Sequence, residues 1–127
     1  MNIFVVLATL ACATAFIVHT FVGSRYAVEP LLASQSLPRA SKWLNYLCWH
    51  IATAHLFIMT CCLAAAVAGL AGREAVLITA VLAASISIVS VAVTLKANIA
   101  PWRFPASYLL GTVAVLSLAA LLKGVPA

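Results

Sequence analysis

Residues 75–95 read AVLITAVLAASISIVSVAVTL, and that stretch decides the fold. It carries no charge. Its polar side chains are the hydroxyls of Thr79, Ser85, Ser87, Ser90 and Thr94, and it is bounded by Arg73-Glu74 on one side and Lys96 on the other. As a helix rising about 1.5 Å per residue it reaches roughly 30 Å, the hydrocarbon thickness of a bilayer. Helix is the state open to it there, because lipid offers no partner for an unpaired backbone amide. A transmembrane β-barrel needs polarity alternating at every second residue, which the stretch lacks.

Three further runs flank it. Residues 3–22 are interrupted only by Thr9, Thr14, His19 and Thr20; residues 43–70 form a longer run; residues 106–122 form one slightly short but within the tolerated span length. The expected architecture is therefore all-α, a single domain over residues 1–127 made of four transmembrane helices, up and down, at about 3–22, 43–70, 75–95 and 106–122. The first run has no Lys or Arg before it and exceeds the apolar core of a signal peptide, so it reads as a retained helix. Between helices two and three lies a tight turn, Ala71-Gly72-Arg73-Glu74. Between three and four lie Pro101, Trp102, Arg103 and Pro105. Residues 23–42 read as a long first connection lying on the membrane surface.

Composition agrees. The 127-residue chain is 66% hydrophobic and 7% charged, whereas a soluble domain carries roughly a quarter charged residues to face water. Soluble enzyme, secreted module and disordered tail are excluded. The net charge of +5 does not point to nucleic acid, because the seven Lys and Arg sit at the ends of apolar runs. Arg25, Arg39, Lys42, Lys96 and Arg103 fall at the first and third connections, against Arg73 and Lys123 at the other end. That bias places the first and third connections in the cytoplasm and both termini outside, in a multi-pass protein of a bacterial inner membrane. Cys12, Cys48, Cys61 and Cys62 lie inside apolar runs and read as small buried hydrophobes rather than as a disulfide framework.

Polar side chains inside a membrane are the candidates for function. His19 ends helix one and His50 begins helix two, roughly 5 Å inside Val22 and roughly 10 Å inside Trp43, so antiparallel neighbours would bring them to one layer. Two imidazoles on facing helices are the minimum for an axial haem pair, haem b for instance, or for half of a copper or zinc site. The alternative is that each ring bonds a carbonyl or interfacial water. Cys48, Ala52, His55, Met59 and Cys62 form a stripe of soft side chains, in which His55, Met59 and Cys62 could offer copper a mixed N/S site. Packing is the simpler reading of that stripe. Cys12 lies at the depth of His55. A neutral imidazole near mid-membrane needs partners that lipid lacks, so His55 is expected to turn inward to Ser85, Ser87 or Thr112. Ser85, Ser87, Ser90 and Thr94 read as interhelical hydrogen-bonders or small packing residues.

Other chemistry lacks its parts. Glu29 and Glu74 are the sole carboxylate side chains, both in connections, so no acid stands ready to orient a catalytic base. The expectation is a non-enzymatic accessory or structural membrane subunit, packing in the lipid bilayer against a larger membrane complex or its own copies. A His-ligated haem or metal protein using His19 and His50, with Trp49 beside them, is the alternative.

The stretch His19-Thr20-Phe21-Val22-Gly23, a basic linker with Pro30-Leu31-Leu32, and Trp49-His50 resemble a set of small bacterial four-helix membrane proteins. In those, a His-Ser/Thr-x-x-Gly-Glu element precedes a Trp-His element. The resemblance spans roughly residues 15–55; Ser24 stands where the Glu would be, and His55 stands near a position more usually aromatic. It singles out His19, Trp49 and His50 without implying a reaction.

Overall fold

The computed structural model describes residues 2–124 and contains four helices long and apolar enough to cross a membrane. They are α1 (Ile3–Ala33), α2 (Arg39–Val67), α3 (Arg73–Lys96) and α4 (Pro105–Leu122), with a 3₁₀ turn at Pro101–Arg103 before α4. The protein is a multi-pass membrane helical bundle.

Helix α1 differs most from the sequence-based expectation. It does not stop at Val22. Its α-helical part, Ile3–Ile17, passes into a π-helical segment, Val18–Val28, and closes with a short α-helical turn, Glu29–Ala33. At 31 residues it outruns a roughly 30 Å hydrocarbon core, so its last turns stand at or beyond the membrane boundary. Pro30 is tolerated because it falls at the start of the α turn. The expected surface loop shrinks to residues 34–38. Lys42 closes it by donating from Nζ to the carbonyls of Leu32 and Ser34, a cation at a helix C-terminus. Helix α2 correspondingly begins at Arg39 rather than near Trp43.

Small residues at three- and four-residue spacing hold the bundle together. Val5, Ala8, Cys12 and Ala15 face inward from α1; Leu56, Met59 and Leu63 from α2; Val76, Thr79, Ala80 and Ala83 from α3. Helix α4 contributes Leu110, Val113, Ala114, Ser117, Ala120 and Leu121 and is the most deeply buried of the four. Without a hydrophobic force between helices in lipid, close approach through Ala, Ser and Gly supplies the packing. The tightest seam is α3 on α4, followed by α1 against α4 and α2. Ser87 donates to the Ser107 carbonyl at 2.5 Å, Ser90 and Ser107 share a hydroxyl bond at 2.9 Å, and Gly111 lies against Ser87. Helices α2 and α3, though joined by the shortest turn, meet less closely.

The helix ends are closed from within. Gly69 takes φ +73° after α2, with Gly69 N–H donating to the Ala66 carbonyl and Leu70 N–H to that of Ala65. Asn98 does the same after α3 at φ 55°, with bonds from Asn98 to Leu95 and from Ile99 to Thr94. Both are left-handed caps that satisfy orphan carbonyls. Asn2 caps α1 by accepting from Phe4 N–H, and its amide donates to the Ala120 carbonyl near the end of α4. The start of α1 and the end of α4 are thereby joined at one end of the bundle.

Candidate functional site

The π-helical segment and the first turns of α2 build the candidate site. His19 lies flat on Trp49, with ring centroids 3.9 Å apart and planes 16° from parallel. Its Nε2–H donates to the Trp49 carbonyl at 3.3 Å, and that carbonyl also accepts from the Thr53 hydroxyl at 3.0 Å. Gly23 meets the same indole: a Cβ at position 23 would lie 2.6 Å from its Cη2 atom. His19 and Gly23, four residues apart on α1, and Trp49 from α2 form one contact.

Beside this contact opens a cavity of about 510 Å³. Its walls are Ala15, Val18, Val22 and Ala27 from α1, Trp49 and Leu56 from α2, and Phe104, Leu109 and Leu110 around the start of α4. His19 and Arg103 are its nitrogen-bearing polar residues apart from the indole, and neither Glu29 nor Glu74 lines it. Its deep end closes on buried Ala15, Leu56 and Leu110, while Tyr26, Arg103 and Phe104 at the mouth are exposed. Near it the Thr20 hydroxyl, on the π-helical segment, is buried without a hydrogen-bond partner.

The two histidines singled out from the sequence have different surroundings. His50 is exposed and meets Tyr46 edge-on, centroids 4.5 Å apart, and Tyr46 in turn meets Trp43. Helix α2 turns about 100° per residue, so placing Trp49 toward α1 carries His50 round to this aromatic ladder. An axial pair needs both imidazoles to direct a nitrogen into one gap. Ligation through Nε2 of His19 would give up its bond to Trp49. Among the described residues no three His, Cys, Asp or Glu side chains gather at metal-binding range.

The soft stripe on α2 is likewise distributed over several environments. Met59 is in the core, Cys62 is half-buried, and His55 is exposed. His55 does not turn inward as expected. Its Nδ1–H donates to the Ile51 carbonyl of its own helix at 2.8 Å, which satisfies the donor without Ser85, Ser87 or Thr112. Cys12 meets Leu56 and Thr60 instead of His55, with its sulfur 3.4 Å from the Thr60 hydroxyl. Ser85 and Thr112 each bond a carbonyl one turn back.

Arg103 and Phe104 were not legible as site residues. The Pro-Trp-Arg-Phe-Pro stretch reads as a turn with an interfacial aromatic, and only the fold brings it over the cavity mouth. No family model, curated protein or solved structure matches the chain.

Proposed function

We propose that the protein is a non-catalytic accessory or structural subunit of a larger membrane complex, docked through the outer face of α2. His55 carries this reading. It lies about 3 Å from the midpoint of α2 along the axis, and it is exposed there beside Ile51 and Ile58, which share its face of the helix. With Nδ1–H given to Ile51, Nε2 stands on the far side of the ring from that bond. Hydrocarbon cannot supply a donor. A neighbouring transmembrane helix presenting a hydroxyl or N–H would both cover the face and satisfy the ring. The charge bias orients this subunit with its first and third connections in the cytoplasm.

The test is extraction from native membranes in mild detergent, followed by sizing. The wild type is expected in an assembly larger than one chain in its micelle. His55→Leu should reduce the assembled share, reflecting a lost bond of about 0.6–2 kcal/mol, and Ser85→Ala on α3 should not. Recovery of both wild type and His55→Leu as lone chains would overturn the reading. The same wild-type sample should show no Soret band; a band abolished by His19→Ala would replace the accessory role with haem binding.

A further inference from the structure

We infer that the cavity beside His19 and Trp49 binds a single-chain anionic amphiphile, with its carboxylate or phosphate on Arg103 and its apolar chain running inward along Trp49 toward Leu56 and Leu110. This stands apart from docking through α2. At about 510 Å³ the cavity falls within the range of small-molecule sites, and it is walled mostly by aliphatic and aromatic groups.

Its long axis follows the helices. The α1 wall runs from Ala27 inward to Ala15, and the α4 side runs from Arg103 inward to Leu110. The outer end carries the charge and the inner end is closed by buried apolar residues. That polarity matches a molecule with one charged head and one chain, entering from the boundary of the bilayer. Arg103 is the sole Lys, Arg, Asp or Glu in the lining. A guanidinium holds carboxylate or phosphate by paired N–H donors. The wall facing the chain is fixed rather than incidental, because Gly23 permits the close approach of Trp49 and the His19 ring covers it.

Trp49 sits in the wall and reports on occupancy. In a Trp43→Phe/Trp102→Phe protein it is the sole tryptophan, and its fluorescence is titrated in nonionic detergent with three dibrominated probes: a stearate, its methyl ester and a lysophosphatidate. Both anions should quench saturably, with the ester weaker by about tenfold or more, as expected for a charge-assisted bond. The tighter of the two anions identifies the head as carboxylate or phosphate. Arg103→Gln should bring the anions to the level of the ester. Lys96→Gln, at the same end of the bundle but outside the cavity, should change nothing. Equal quenching by ester and stearate, non-saturating quenching, or the same loss in Lys96→Gln as in Arg103→Gln would overturn the assignment.

Discussion

Gly23 has no side chain, and that absence is what Trp49 uses. An alanine methyl at position 23 would meet the indole at 2.6 Å, a separation that forces either the ring or the helix to move. Overpacking of this kind costs about 1–3 kcal/mol. Gly23→Ala should therefore lower the thermal unfolding midpoint in detergent and alter the Trp49 emission of the protein in which it is the sole tryptophan. Unchanged emission and midpoint would show that the indole has room to spare. His19 and Trp49 could be picked out from the sequence, whereas Gly23 entered only as the last residue of the quoted motif. Which of Trp49 and His50 would meet His19 could not, because adjacent residues differ by about 100° in direction. The rotation of α2 is set by packing of Leu56, Met59 and Leu63. The same limit applies to His55, whose outward direction was not readable.

At the scale of elements, the spans were legible because absence of charge over a bilayer's thickness has few other readings. Their ends were less so. Gly23, Ser24 and Arg25 look like the close of a helix, yet the chain continues through Val18–Val28 as a π-helix. That geometry is rare and concentrates at functional sites, and here it forms the cavity wall. Of the hydroxyls read as interhelical, Ser87 and Ser90 bond across the seam of α3 on α4, whereas Ser85 and Thr94 bond back to carbonyls of their own helix. The cap after α3 was missed because Asn98 in a polar connection carries no mark of its φ of 55°. Asparagine and glycine tolerate that conformation; other L-residues pay about 1–2 kcal/mol. Asn98→Ala should destabilise the detergent-solubilised protein by about that amount, whereas Asn98→Gly should match the wild type or exceed it. Equal melting of the alanine and glycine variants would assign the cap's stability to its hydrogen bonds alone.

For the whole molecule, four spans put the start of α1 and the end of α4 at one end of the bundle, where Asn2 reaches the Ala120 carbonyl. Which side of the membrane that end faces is a matter of charge, not of packing. Five Lys and Arg cluster at the end bearing the first and third connections, against Arg73 and Lys123 at the other, so the first end should be cytoplasmic. Cysteines placed without disturbing that count test it: Ser36→Cys in the first connection and Ala71→Cys in the second, each in a background with the native cysteines replaced. A membrane-impermeant maleimide applied to intact cells should label position 71 at once and position 36 only after the membrane is opened. The reverse pattern would invert the topology and place the cavity mouth, with Arg103, on the outer face. If charge is the cause, neutralising Arg25, Arg39 and Lys42 together leaves Lys96 and Arg103 against Arg73 and Lys123. Labelling should then become mixed, with both positions reactive in part of the population. A population that keeps a single orientation after that change would mean that something other than the Lys and Arg bias, such as the extended end of α1, fixes the protein in the membrane.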